Sequence, residues 1–147
     1  MNPPLYVESN RSATEHDRRR QSLVGVRLRK HGEYARAYTA ARKHQSASMS
    51  WFLAPQLEAA GAPRVGLTAG KVLGKAHERN RIKRRMREVL RRHVDLLPQG
   101  CDLILHPRRA VLTMEFTKLS AEVLRILRQA LVEAEQIRKS AQAKPTL

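Results

Sequence analysis

Few residues in this chain are spaced for covalent or metal chemistry. His77-Glu78 opens like the zinc-protease signature, which needs a second histidine four residues after the first, where this chain has Arg81. That excludes a metalloprotease. Gly66-Leu67-Thr68-Ala69-Gly70-Lys71 has the outline of a phosphate-binding loop, but its glycine spacing is one residue short. Val72 also stands where Ser or Thr would hold magnesium, so an NTPase is not expected. Asp95 and Asp102 are too few for a two-metal nuclease, which needs several converging carboxylates. A helix end and a strand edge are their expected places. Cys101 is the single cysteine, which rules out an internal disulfide or a thiolate cluster. No base stands at a suggestive spacing from it, so it reads as a small buried thiol.

Charge is the stronger signal. Between Lys75 and Arg92, eighteen residues include nine Lys or Arg and two Glu. On a helix, Ile82, Met86, Val89, Leu90 and His93 share one face, while Asn80, Arg84, Arg87 and Arg91 lie opposite. Only Glu78 and Glu88 stand at helical spacing to neutralise these cations. Unpaired like charge costs stability unless a partner offsets it, and a nucleic-acid backbone is the simplest such partner. The alternative is an ordinary solvated face. Across the whole chain, 147 residues carry a formal charge of +16 and a sequence pI of about 11.3, which again points to a polyanion.

The elements that must position this helix follow from pattern. The length fits one domain of roughly 100–150 residues with tails. Residues 1–24 read as a flexible basic arm containing Arg18-Arg19-Arg20. After Gly32, the recurrence of Tyr34, Ala35, Tyr38 and Ala41 predicts a short helix over 32–43. Residues 46–54 alternate as a half-buried strand, with Ala47, Met49, Trp51 and Leu53 on one face and Ser48, Ser50 and Phe52 on the other. Gly61-Ala62-Pro63 breaks the chain before a strand over 64–69. The basic helix, over 77–94, ends at Leu97-Pro98-Gln99-Gly100, and 101–106 reads as a third strand closed by Pro107. Thr113 is placed to cap a last helix, whose stripe of Leu119, Val123, Ile126, Leu127, Ala130 and Ala134 runs to about Lys139. The core domain is thus 25–139, and 140–147 is expected to be a frayed tail. No apolar run approaches the roughly 18 residues of a membrane helix, and Pro3, Pro4 and Glu8 stand where a secretion signal would be apolar. A cytoplasmic protein with no membrane partner is expected.

These residues carry a resemblance. The stretches Arg64-Val65-Gly66-Leu67 and Gly74-Lys75-Ala76-His77-Glu78-Arg79-Asn80-Arg81-Ile82-Lys83-Arg84, then Arg87-Glu88, resemble the bacterial ribonuclease P protein subunit. So does the later run Gly100-x-Asp102-Leu103-Ile104-Leu105-x-Pro107-Arg108. The resemblance covers roughly 27–132, including the Arg-Leu-Arg-Lys lead-in at 27–30.

The resemblance implies an α/β fold of the α+β sandwich kind. A small mixed sheet is packed with three helices in an αβββαβα-like order. A crossover between parallel neighbouring strands is right-handed in about 98% of cases, yet the resemblance implies a left-handed one between the strand at 64 and the strand at 101. It also implies an endoribonuclease subunit that assists a catalytic RNA in removing the 5′ leader from precursor tRNA. The catalytic groups would lie on the RNA, none on this chain. Magnesium would be bound mainly by the RNA, with no metal site on the protein and no obligate protein partner. The residues expected to bind the catalytic RNA are Arg79, Asn80, Arg81, Lys83, Arg84 and Arg87, with Lys71 and Lys75. A leader-binding cleft would be lined by Tyr34, Tyr38 and Phe52, with Arg64 beside it. For the tyrosines the competing reading is completion of the core. One departure stands out: Val72 occupies a position that is usually basic in the family, which puts a contact there in doubt. Composition alone would also allow a free-standing RNA-binding or ribosome-associated module, and a protein-only nuclease is the third alternative.

Overall fold

The computed structural model describes residues 23–57 and 61–143. The chain runs through helix α1 (His31–Ala40), strands β1 (Arg42–Gln45), β2 (Met49–Pro55) and β3 (Arg64–Leu67), and helix α2 (Ala76–Arg92). It continues through strand β4 (Cys101–Pro107) and helix α3 (Phe116–Ala143), with short 3-10 turns between these elements. The order is the expected αβββαβα.

The four strands form one sheet in the order β1-β2-β4-β3. β2 pairs antiparallel with β1 and β4, placing Trp51 opposite His44 and Leu105, and β3 pairs parallel with β4, Val65 opposite Leu103. Alternation along the strands sends Met49, Trp51, Leu53, Val65, Leu103 and Leu105 to one face, where they form the main core with α2 and α3. Phe52, Ala54 and Ile104 point to the other face and meet Leu28, Tyr34 and Ala37 of the α1 region. Helices therefore cover both faces of the sheet.

The hand of the β3–α2–β4 connection follows from hydrogen bonds. The Val65 carbonyl accepts from the Leu28 N–H at 2.9 Å, away from β4, while the Leu105 carbonyl accepts from the Thr68 N–H at 3.0 Å, toward β3. Both side chains lie on the α2 side. When an extended L-residue is viewed from its side-chain side with the chain running upward, its N–H and C=O point right. Seen from α2, β4 therefore lies left of β3. The chain moves leftward through the overlying helix, which makes the crossover left-handed, against the usual preference.

Several boundaries differ from the sequence pattern. The first helix ends at Ala40, because Ala41 turns to extended backbone (φ −81°, ψ 150°), and Arg42–Gln45 form the edge strand β1 instead of the last helical turn. Ala47 is exposed and Ser48 buried, the reverse of the alternation, because the chain turns there before β2 begins. The turn is fixed from below. Buried Glu122 of α3 accepts from the Ser48 hydroxyl (2.6 Å), the Ser48 N–H (2.8 Å) and the Ser46 hydroxyl (2.7 Å). Thr113 closes a 3-10 turn at Arg109–Leu112 and does not cap α3. Asp102 lies buried on a central strand, not at an edge. At the termini, Leu23 already belongs to the core and α3 continues to Ala143. The rest of the proposed arm, 1–22, and residues 144–147 lie outside the described residues.

Candidate nucleic-acid interface

The basic helix is held by its apolar side. Ile82, Met86, Val89 and Leu90 are fully buried, each contributing roughly 1.5–3 kcal/mol. Its first turn is closed by Glu78, whose carboxylate accepts from the Lys75 N–H at 2.9 Å and from Arg109 Nη2 at 2.7 Å. Arg109 Nη1 also donates to the Leu73 carbonyl at 2.7 Å. The Arg109 guanidinium, followed by the Lys75 amide, holds the Glu78 carboxyl down at about 2. Gly74 makes this clamp possible. Its φ is +130°, and an added Cβ would fall on Arg109 Nη1 and the Glu78 carboxylate.

The outward face carries Asn80, Arg81, Arg84 and Arg87, all exposed, with Lys83 half-buried beside them. Glu88, the other acid of the helix, is engaged by Arg91 at 2.7 Å and Arg92 at 3.0 Å, and these two arginines pull its carboxyl below the usual range. Arg85 donates to the Met114 carbonyl and Arg92 stacks 4.8 Å above the Phe116 ring. Arg81, Lys83, Arg84 and Arg87 meet no carboxylate within ion-pair distance among the described residues. Arg79 is half-buried, its Nε enclosed by protein. It stands apart from the exposed row. Lys71 and Lys75 are exposed at the helix entrance, and Val72 between them is 93% exposed.

On the α1 side, Tyr38 meets Phe52 edge-to-face at 5.2 Å, and Tyr34 lies 6.4 Å from Tyr38. The two tyrosines differ in environment. Tyr34 packs over Gly66, where a Cβ would come within 2.6 Å of its hydroxyl, and that hydroxyl donates to the Leu28 carbonyl at 3.4 Å. Tyr38 is 37% exposed, with its hydroxyl 2.6 Å from His106 Nε2 and 3.3 Å from Thr68 Oγ1. The structure thus brings Tyr38 and Phe52 together at an open surface and sets Tyr34 partly into the core.

Two further residues complete this surface. His106 lies 4.9 Å from the Phe52 ring, and Lys43 Nζ sits 5.9 Å above that ring. Burial, with the Lys43 charge second, pushes the His106 imidazole below its ordinary pKa. The sequence signal for His106 is its period-two spacing from Ile104. Lys43 lies on β1, where the sequence pattern predicts the end of the first helix. Arg64, expected beside the cleft, is held by ion pairs. Its Nε and Nη2 donate to Asp102 at 2.8 and 2.9 Å and its Nη1 to Glu33 at 2.5 Å, so two carboxylates already neutralise it.

Comparison with known proteins adds the family context. The family model described as Ribonuclease P matches residues 25–131. The ribonuclease P protein component of Chloroflexus aggregans is 36% identical over 105 residues, which is 71% of this chain and 76% of that protein. Among solved structures, the RNase P protein of Thermotoga maritima superposes with a TM-score of 0.62 at 23% identity. That match covers 70% of this chain and 96% of the other. The Staphylococcus aureus RNase P protein gives 0.61 at 23% identity, over 71% and 94%. The two structures establish a shared fold.

Proposed function

As the chain belongs to the ribonuclease P protein family, we propose that it is the RNA-binding subunit assisting a catalytic RNA in removing the 5′ leader from precursor tRNA. The observation that supports this best is the row Arg81, Arg84 and Arg87, exposed on a rigid helix with no carboxylate partner among the described residues. Guanidinium groups keep their charge and bind phosphate with two parallel hydrogen bonds, so such a row fits a folded RNA backbone. Asn80 and Lys83 extend it, and Lys71 and Lys75 continue it past the helix entrance. Tyr38 and Phe52, with Lys43 above, are suited to stacking unpaired leader bases without regard to sequence. Arg64 serves this role indirectly, by fixing α1 to the sheet through Glu33 and Asp102.

The protein supplies binding, and the chemistry belongs to the RNA. No group of three His, Cys, Asp or Glu residues suited to a metal ion occurs among the described residues. Asp102, Glu78, Glu88 and Glu122 are each engaged by cations or hydroxyls. Magnesium, a hard ion that favours oxygen ligands, is better served by RNA phosphates. No helix among the described residues is long and apolar enough to cross a membrane. The test is reconstitution: added to a ribonuclease P RNA, the protein should lower the magnesium needed for precursor cleavage. No effect on that requirement, with RNA binding intact, would favour a free-standing RNA-binding module. Cleavage without added RNA would overturn the assignment of the chemistry.

A further inference from the structure

Strand β1 is held from behind. Its side chains alternate, so Lys43 and Gln45 lie on the α1 side of the sheet, where Lys43 stands over Phe52, while Arg42 and His44 face α3. There the His44 ring stacks on buried Trp51, with centroids 4.0 Å apart and planes 14° from parallel. His44 Nε2 lies 2.7 Å from a Glu133 carboxylate oxygen, and both side chains are largely buried. Glu133 stands beyond residues 25–131, so this contact is made by a part of α3 outside the stretch that the family model matches.

The contact is one of charge. The Glu133 oxygen is close to Nε2 but off the direction of a ring N–H, and that nitrogen, sealed from solvent, has no hydrogen-bond partner. A neutral imidazole leaves the buried nitrogen unsatisfied, whereas an imidazolium makes it half of an ion pair that water screens little. The other charged or titratable groups on this side are Arg42, beside Glu133 in the same groove, Arg138, and the Cys101 thiol, whose pKa burial pushes up. Little else holds β1. It is four polar residues at the sheet edge, paired on one side with β2, and Gln45 is tied to Ser50 and Arg108 at its far end. We propose that Glu133 and His44 are positioning residues of the aromatic surface. Their ion pair pins β1 from the α3 side and so fixes Lys43, on the opposite side, over Phe52 and ready for the phosphate of an RNA strand. The ligand class rests on the RNA-binding role proposed above.

The test uses the full chain assembled on a ribonuclease P RNA and reads the preference for precursor over mature tRNA. Glu133→Gln removes the charge at constant shape, and His44→Phe keeps the stack on Trp51. Each should lower the preference about threefold, as should Lys43→Gln. In the Lys43→Gln background, Glu133→Gln should add no further loss, since it acts through that lysine. Between about pH 8 and about pH 6, where imidazoles take up protons, the preference should grow more steeply in the native protein than in Glu133→Gln. His106 contributes equally to both and drops out of that difference. In the free chain, β1 amides should exchange about tenfold faster in Glu133→Gln, while those of α2 keep their rate. An undiminished preference in Glu133→Gln, additive losses, superimposable pH profiles or unchanged β1 exchange would each overturn the proposal. A native complex with no preference for precursor tRNA would overturn the functional reading and the role of Lys43 with it, and the exchange measurement would still decide by itself whether Glu133 holds β1.

Discussion

Arg109 and Glu78 lie far apart in sequence yet meet at 2.7 Å, joining the turn after β4 to the first turn of the cationic helix. The same arginine holds the Leu73 carbonyl, so one side chain fixes both the helix start and the loop that carries Lys71 and Lys75. The entrance to the basic face is thereby set by a residue from the far end of the domain.

This pairing carries a pH signature. The folded Glu78 carboxyl is held at about 2 against an ordinary value of 4.5, so its contribution is fully present above pH 4.5. It fades as pH falls toward 2. Thermal melts of the native protein and Glu78→Gln should differ by a constant amount above pH 4.5 and converge in acid. Because the arginine is largely exposed, the difference should also shrink with added salt. A gap between the two melting curves that persists unchanged at pH 2 would contradict the assignment.

The exposed arginines should govern salt dependence. Each phosphate neutralised adds about 0.7–0.9 to the slope of log affinity against log salt. The Arg84→Ala, Arg87→Ala double variant should flatten the slope for ribonuclease P RNA by roughly two such increments. Filter binding across a salt series reads this directly. An unchanged slope would make the row a solvated face.

Tyr38 should affect precursor and mature tRNA differently. Its ring lies edge-on to Phe52 at an open surface, and base stacking there is worth about 1–3 kcal/mol per base. Tyr38→Ala should weaken precursor binding by at least several-fold and leave mature tRNA nearly unaffected. Tyr38→Phe keeps the ring but loses the contact to His106, so it should fall between the native protein and the alanine variant. Equal losses for both substrates would assign the ring to packing.

Arg64 should matter for folding. Asp102 is 4% exposed, and removal of its partner strands a buried carboxylate, a change that costs about 3–5 kcal/mol. Gln56 Nε2 still donates to Asp102 at 3.0 Å, which favours the lower end for Arg64→Met. Denaturant unfolding measures the loss. A variant of native stability with weakened leader binding would return Arg64 to the cleft.

The pattern of the chain discloses the packed face of α2, with Ile82, Met86, Val89 and Leu90 all buried where helical period puts them. It also sorts β2 correctly, Trp51 to the main core and Phe52 to the α1 side. It fails where long-range contacts override local signal. Arg42–Gln45 is polar and lacks any apolar alternation, so only pairing with β2 makes it a strand. Arg64 reads as a cation beside the leader cleft, and its pairing with Asp102 and Glu33 is set by contacts between residues distant in sequence. The left-handed crossover is invisible to periodicity, since both hands bury the same residues.

The strand order also bears on how the chain comes together during synthesis. β4 sits between β2 and β3, and those two strands have no pairing with each other. Until Cys101–Pro107 has emerged, β3 lacks its neighbour and β2 has only the four-residue β1 as a partner, a two-stranded ribbon that is marginal in water. The cationic helix is therefore fully synthesised before the sheet that anchors it exists. Insertion of one late strand then brings the arginine row, the aromatic surface and the Arg109 clamp into register together. Such pairings across long stretches of chain slow folding. A ribosome paused before β4 would hold a nascent chain with its whole cationic helix but no fixed surface to present it.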